Sequence, residues 1–446
     1  MNVKSNFFVN AAIALFIILL PWQTSLIWRQ TYLNSAVWEY GRLSLYISEL
    51  FLWALLVIFA VHTLASHSKI DLQNWKSSIL KNKIPNASYW LMVGLVLIAG
   101  LSVWWAYDFS IAYHLAIRLL ALAAMTAVIL ISDISFRVAA WAWVFSGSVQ
   151  SLIAVWQFFN QYIGPAKWFG IAEHISNIGG SIVLQTPDER WLRAYGSLPH
   201  PNILGGMLFV GLLFCLYLGV TASKKYERWL AMAGVIIMTP GLFFTFSRSA
   251  WLALILAVII FAMGVFLQRR SDYWKTFGVM AGTIFLMMII LTGMWWGAVT
   301  TRINADQNLE IASLELRVAF VQQAATIIQQ LPWQGTGLGN YTLGVYYLVF
   351  SDWPGYYYQP VHNLFLLVLA ELGIFGIIFW SAWVGLLLYG GVRKLIDLKT
   401  ACLLAIFCGF LLIGLVDHYF WTIYTGMAWF WLIAAFLLKF SSKKAV

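Results

Sequence analysis

Apolar runs of about 17 to 25 residues, the length needed to cross a bilayer as a helix, recur twelve times along this 446-residue chain. They centre on residues 7–27, 43–62, 89–107, 111–131, 138–159, 202–221, 229–246, 249–267, 277–299, 362–389, 401–416 and 420–438. In lipid a continuous apolar segment of that length satisfies its own N–H and C=O groups by becoming a helix. The expected fold is all-α: a polytopic integral membrane protein with about 12 transmembrane helices, a single membrane domain over residues 1–446. Composition agrees, with 62% hydrophobic and 10% charged residues, where soluble domains hold about half and a quarter.

The net charge of +10 would suggest a nucleic-acid partner in a soluble protein. Here the basic residues gather between apolar runs, at Lys69/Lys76/Lys81/Lys83, Lys224/Lys225/Arg228, Arg269/Arg270/Lys275, Arg393/Lys394/Lys399 and Lys439/Lys443/Lys444. A cytoplasmic N-terminus puts all five clusters on the cytoplasmic side, as the positive-inside rule requires, with both termini inside. The bilayer is then the charge's partner and no nucleic acid is implied. Lys4 precedes an apolar run with no small-x-small cleavage site before Pro21 and Trp22, so the first helix is expected to be retained. Cys215, Cys402 and Cys408 lie in apolar runs without metal-type spacing, suggesting neither a disulfide framework nor a zinc site.

In this orientation two long loops, 163–201 and 300–361, face the exterior. They carry few charges and many aromatics, and are expected to be folded. In the larger one, between spans nine and ten, Leu314, Val318, Val321, Ala325 and Ile328 recur at helical spacing, predicting an amphipathic helix along the membrane surface. It ends at Pro332, and Gly335, Gly337 and Gly339 then read as a flexible turn. The aromatic-rich stretch 346–358 reads equally well as an interfacial belt or as a sugar-stacking surface.

Candidate chemistry lies toward the exterior. The stretch HNLFLLVLAELGIFG, residues 362–376, puts an imidazole at the mouth of an apolar helix. At about 100° per residue, His362, Gly373 and Gly376 share one stripe, so a neighbouring helix is expected to pack close beneath the histidine. Glu371 falls on the opposite side and is not paired with it. Arg248 lies in a short turn where Ser247 is expected to cap an outward-pointing helix N-terminus, a site for phosphate; the alternative is a snorkelling arginine. Arg317, amid Leu316, Val318 and Phe320, needs an anionic partner, either a ligand or a carboxylate such as Glu310 or Asp306. Arg190 and Arg193 precede His200 and Asn202 in DERWLRAYGSLPHPN, where Asp188 and Glu189 offer local neutralisation. Asp417, beside His418 at the outer end of the eleventh run, is placed to orient His362 or bind a sugar hydroxyl, or is an ordinary interfacial carboxylate. His114 and Arg118 form a further pair within the fourth run.

The spacing of His362, Asn363, Gly373 and Gly376 matches the signature of bacterial O-antigen ligases: His, then Asn, Ser or Gln, nine residues, Gly, two residues, and Gly, Thr or Tyr. FTFSRSAWLALIL from Phe244 and LPWQGTGLGNY from Leu331 also resemble the O-antigen ligase and polymerase superfamily, and the resemblance extends over most of the chain. It implies a GT-C-like glycosyltransferase of the bacterial inner membrane. Such an enzyme moves a glycan from undecaprenyl diphosphate to lipid A-core oligosaccharide on the periplasmic face, in lipopolysaccharide biosynthesis, by inverting displacement and with no metal or other cofactor. Order and approximate spacing carry the donor-diphosphate role to Arg248 and Arg317, and the motif carries the acceptor-activating role to His362. Arg193, which resembles a superfamily arginine, Asp417, His200 and Asn202 form a second tier. Guanidinium forks can stabilise a diphosphate leaving group, and neutral imidazole can accept a hydroxyl proton near pH 7. An O-antigen or exopolysaccharide polymerase shares the donor, and a protein-glycosylating ligase is a third possibility. A secondary anion transporter built on Glu49, His114, Arg118 and Glu371 is the reading from another class, although no repeated pair of broken helices supports it.

Overall fold

The computed structural model describes residues 3–65, 83–177, 179–186, 189–304 and 308–442. Helices account for all twelve apolar runs. Among the described residues nine are long and apolar enough to cross a membrane, and the other three runs form the shorter apolar helices Phe8–Leu19, Ile47–Val61 and Leu398–Gly414. The protein is an all-α polytopic membrane protein. Lys69, Lys76, Lys81, Lys443 and Lys444 of the basic clusters lie outside the described residues.

The first two runs are interrupted where apolar content misled the reading. Strands Ser25–Leu33 and Ala36–Tyr46 form an antiparallel hairpin. Its turn, Asn34 and Ser35, takes φ of 47° and 61°, the doubly left-handed form whose twist suits a two-residue hairpin loop. Run one therefore stops at Leu19, and run two begins as strand and becomes helix only at Ile47. Aromatic and β-branched residues such as Trp28, Thr31, Tyr32, Val37 and Trp38 favour this pleated form.

The chain divides into two compact units: Met1–Thr24, Asp133–Leu314 and Lys394–Ile413 form the first, and Ser25–Ser132, Glu315–Arg393 and Gly414–Val446 the second. At the centre of the first lies Pro201–Val220, a helix apolar all round and enclosed by protein, as such a helix should be. It packs against Phe136–Asn160, Lys225–Phe244, Arg248–Leu267 and Ser271–Met294. The 163–201 segment is folded, with strand Tyr162–Ile163 paired to His174–Ile175 and Val183–Gln185 to Arg190–Leu192.

In the second unit Lys83–Leu101, Phe109–Ile131, Leu364–Arg393 and Tyr424–Ser442 pack together. Burying a charge there requires a partner. Arg118 has one: its Nε lies 3.0 Å from both carboxylate oxygens of Glu49, and its guanidinium sits 5.6 Å from the ring centres of both Tyr46 and Tyr424. His114 reaches the Ser44 carbonyl at 3.1 Å. In the Asn308–Gln330 helix, Phe320, Gln323, Ala324 and Ile327 are buried while Val318 and Val321 of the predicted stripe are exposed. This helix thus carries two apolar faces, and the stripe read in the sequence is the outward one.

The long helix Leu364–Arg393 is broken at Gly373, where φ is 65° and ψ is −167°. The loop 332–337 enters the break. Thr336 and Gly337 donate N–H bonds to the carbonyls of Ala370 and Glu371 at 3.0 and 2.9 Å, and Ile374 donates to the Pro332 carbonyl at 2.9 Å. Backbone groups orphaned by the break are thereby satisfied. A Cβ on Gly373 would run into the Trp333 carbonyl. Two expectations are corrected here: Gly373 admits a loop instead of a neighbouring helix, and Gly335, Gly337 and Gly339 form part of an ordered knot instead of a flexible turn.

Candidate functional site

Asn363 determines where His362 sits. Its Oδ1 accepts from the Leu366 N–H at 3.0 Å and its carbonyl accepts from Leu367 at 3.0 Å, so Asn363 is the N-cap. His362 therefore precedes the helix and does not share a stripe with Gly373, contrary to the sequence reading. The same asparagine donates through Nδ2 to the Leu415 carbonyl at 3.0 Å, which draws the segment after Gly414 toward the histidine. His362 Nδ1 lies 3.2 Å from the Pro360 carbonyl. A carbonyl only accepts, so Nδ1 carries the proton and Nε2 keeps its lone pair.

The imidazole is bounded on two sides. Phe320 stacks against it, with ring centres 5.6 Å apart and planes 9° apart. His418 meets it at 90° with centres 4.9 Å apart. Burial holds the His362 pKa below the ordinary imidazole value; Asp417 pushes the other way, Arg317 adds to the lowering, and the Pro360 bond again opposes it. The lowering favours the neutral ring, the form able to accept a proton.

His418 is buried more deeply. Its backbone N–H donates to Asp417 Oδ1 at 2.8 Å and its ring Nδ1 lies 2.8 Å from Thr422 Oγ1. Burial, with the charge at His362 adding to it and Asp417 opposing, pushes its pKa down to about 3. Tyr40, from the hairpin, packs edge-on to His418 at 6.1 Å; burial first, then Glu39 and Asp417, raise its phenol pKa. Glu371, not paired with His362 in the sequence reading, accepts from Trp421 Nε1 at 2.8 Å and from the backbone N–H groups of Gly339 and Tyr341. It ties the glycine loop to the segment carrying His418. Tyr341 donates to the Phe320 carbonyl at 3.2 Å.

The second unit thus gathers Arg317, His362 and Asp417, all singled out in the sequence. Phe320 was missed as a neighbour of His362 and Tyr40 as a neighbour of His418, since only the fold brings them together. Asp306 and the side chain of Glu310, the carboxylates considered for Arg317, lie outside the described residues, as does Asp188.

In the first unit the basic groups surround the turn at 244–248. Phe246 takes φ of 46°, uncommon for a bulky residue. Arg193 donates from Nε to the Thr245 carbonyl at 2.6 Å and from Nη2 to Asn202 Oδ1 at 2.7 Å. Arg302 Nε reaches the Phe246 carbonyl at 3.3 Å, and Arg248 Nη1 reaches the Arg302 carbonyl at 2.7 Å. Ser247 occupies the N-cap position of Arg248–Leu267, but its side chain makes no cap bond, so the capping role expected of it is not realised. The hydroxyl lies 3.4 Å from Ser249 Oγ. His200 caps Pro201–Val220, accepting from the Asn202 N–H at Nδ1, 3.0 Å away. His200 and Asn202 are therefore engaged in capping and in orienting Arg193. Arg302, on the short helix Trp296–Asn304, was not singled out in the sequence; being the only charged residue in TTRIN just past an apolar run was the available signal. Among the described residues no three His, Cys, Asp or Glu side chains form a group that could hold a metal ion.

These features define a polytopic helical membrane protein that presents a tautomerically fixed histidine above a helix broken by a glycine loop, and a set of arginines around a turn. The O-antigen ligase family model matches residues 233–381, the region containing Arg248, Arg302, Arg317, His362 and Gly373. The chain is also similar to a general O-oligosaccharyltransferase of Acinetobacter baylyi, 24% identical over 224 residues, which are 48% of this chain and 35% of that protein. The match thus spans about a third of the relative's length. Both matches bear out the resemblance to the O-antigen ligase superfamily read from the motifs.

Proposed function

We propose that this protein is an O-antigen ligase-like glycosyltransferase of the bacterial inner membrane, with both termini cytoplasmic and its site on the periplasmic face. It transfers a glycan from undecaprenyl diphosphate to an acceptor hydroxyl, for which lipid A-core is the leading candidate. The observation that carries the reading is His362 itself. It lies in the region matched by the ligase family, its Nδ1 proton is directed to the Pro360 carbonyl, and burial lowers its pKa, which favours an unprotonated Nε2. In the reaction the acceptor oxygen attacks the anomeric carbon as the bond to the diphosphate breaks. The hydroxyl proton passes to His362 Nε2, and undecaprenyl diphosphate leaves with the bonding pair. Arg248 and Arg317 engage the diphosphate, where guanidinium groups meet the developing negative charge. Arg193 and Asp417 stand as second-tier residues of the proposal, and the step uses no metal.

The transporter reading finds less support, because Glu49 and Arg118 are committed to each other and Glu371 to the glycine loop and Trp421. Two other readings share the donor. A polymerase would use a second lipid-linked glycan as acceptor. A protein-glycosylating ligase is the third, with a protein hydroxyl as acceptor; the name of the Acinetobacter baylyi relative, a general O-oligosaccharyltransferase, is in keeping with glycan transfer to oxygen in all three. Proteoliposomes supplied with undecaprenyl-diphosphate-linked repeats and, separately, lipid A-core, further lipid-linked repeats or an acceptor protein would distinguish them. The ligase reading expects one lipid A-core conjugate. A ladder of lengths with lipid-linked repeats alone would make the protein a polymerase, and no product with any acceptor would remove the transferase reading.

A further inference from the structure

We propose that His418 is a positioning residue, its ring and that of Phe320 fixing the His362 imidazole plane so that Nε2 is presented to the acceptor in one orientation. The inference rests on the reading of His362 as the base. One hydrogen bond, Nδ1 to Pro360 at 3.2 Å, leaves a ring free to rock about the bond. Phe320, nearly parallel at 9°, limits motion normal to the plane. His418, perpendicular at 90° with centres 4.9 Å apart, supplies the second boundary.

His418 can serve as that boundary because it is itself held. Its ring Nδ1 lies 2.8 Å from Thr422 Oγ1, its backbone N–H donates to Asp417 Oδ1 at 2.8 Å, and the Tyr40 ring packs edge-on with centres 6.1 Å apart. His418 is the N-cap residue of the short helix Tyr419–Thr422, but its side chain makes no cap bond to a backbone N–H of that helix; the ring bonds the Thr422 hydroxyl instead. The charged groups acting on His362 are Arg317 from the Asn308–Gln330 helix and Asp417 from the segment after Gly414, and His418 faces it edge-on. Those acting on His418 are His362 and Asp417, while Glu39 acts on its neighbour Tyr40. A neutral ring at 418 allows His362 to take a proton without facing a second cation. It also fills space beside His362, preserving the burial that lowers the His362 pKa and leaves Nε2 unprotonated to lower pH.

The test uses the full-length protein in proteoliposomes, with undecaprenyl-diphosphate-linked repeats and lipid A-core. His418→Ala should lower kcat by roughly 10- to 100-fold, the order expected when a reacting group is misplaced, with the donor KM nearly unchanged. Its acid limb should move up in pH, toward the value of a solvated imidazole. His418→Phe keeps a ring at the edge of His362 and should restore most of the rate. A second measurement needs no substrate: the pH dependence of His362 modification by diethyl pyrocarbonate, read by mass spectrometry, should show the same upward shift in His418→Ala. Wild-type kcat and an unmoved His362 titration in His418→Ala would overturn the proposal. So would a loss carried wholly by KM, or by a lowered melting temperature that His418→Phe does not relieve. If His362→Ala itself retains full transfer, the reading of His362 as base fails; an unmoved titration with an inactive His362→Ala sinks only the role of His418.

Discussion

In the first unit three guanidinium groups gather around one turn, each tied to a main-chain carbonyl: Arg193 to Thr245, Arg302 to Phe246, and Arg248 to Arg302. In the second a single imidazole is held between aromatic rings, with one nitrogen on a carbonyl. The contrast follows from the side chains. A guanidinium has five N–H donors in a fixed fork and stays charged at any working pH, so a carbonyl bond sets its plane without altering its chemistry. An imidazole has two nitrogens and a pKa near neutrality, so one bond decides its tautomer and burial decides its charge. The first arrangement suits binding of an anion, and the second suits movement of a proton.

The largest effect expected separates the two. His362→Ala should lower transfer by about 10² to 10⁴-fold, the range of general base catalysis, while binding of the lipid-linked donor persists. Arg248→Ala should do the reverse, weakening donor binding in a protein that still inserts and folds. Wild-type transfer should also fall as pH drops through the His362 pKa, because imidazolium accepts no proton, and that limb should lie below the ordinary 6.5, since burial lowers the value. Donor binding measured alone should show no such limb. If His362→Ala loses donor binding and Arg248→Ala keeps it, the division of labour is inverted.

The next effect concerns the framework under the histidine. Gly373→Ala places a side chain in a backbone region that only glycine occupies readily, a strain of about 1–3 kcal/mol, and drives a Cβ into the Trp333 carbonyl. The variant should lose folded yield and melting temperature in detergent. A fully stable Gly373→Ala would mean that the loop and the broken helix are not locked together.

What was legible in the sequence follows the same physical division. Apolar runs gave the helices because lipid leaves a spanning backbone little other choice, and the spacing of Arg248, Arg317 and His362 marked groups that need polar partners. The hairpin at residues 25–46 escaped notice because apolar content does not separate strand from helix; the Asn34–Ser35 turn was its signal. Gly373 was read as a small residue in a packed helix, since nothing local to it announces that loop 332–337 will enter there. The neighbours of His362 come from residues 317, 320 and 418, contacts that depend on tertiary packing alone.

A subtler change tests whether the donor contact proposed for Arg248 depends on charge or on shape. Arg248→Lys keeps the charge but loses the planar fork, so donor affinity should fall about tenfold, roughly the strength of one charge-assisted hydrogen bond, with the His362 acid limb unmoved. Titration of donor against purified variants measures both. Wild-type affinity in the lysine variant would leave a point charge as sufficient and remove the need for a forked contact.

The smallest effect expected lies in the second unit, where Arg29 of the hairpin pairs with Asp108, the N-cap of Phe109–Ile131. The hairpin carries Tyr40, so this anchor bears on the histidine side and not on the arginines. Burial alone would raise the Asp108 pKa, but Arg29 and the Ser110 and Ile111 amides together outweigh it and hold the carboxyl below its usual value. Asp108→Asn retains a capping oxygen and deletes only the charge, so the loss should be about 1 kcal/mol or less for a partly exposed pair, a shift of roughly 1–2 °C in melting temperature. The sign follows from the lowered pKa. The contribution is complete above the unfolded carboxyl value of about 3.9 and is lost as pH falls through the lower folded value. The gap between wild type and variant should therefore be constant from pH 5 to 8 and close in stronger acid, at unchanged donor affinity. A gap that widened in acid, or a change in donor binding, would show that the hairpin anchor does more than steady the histidine side.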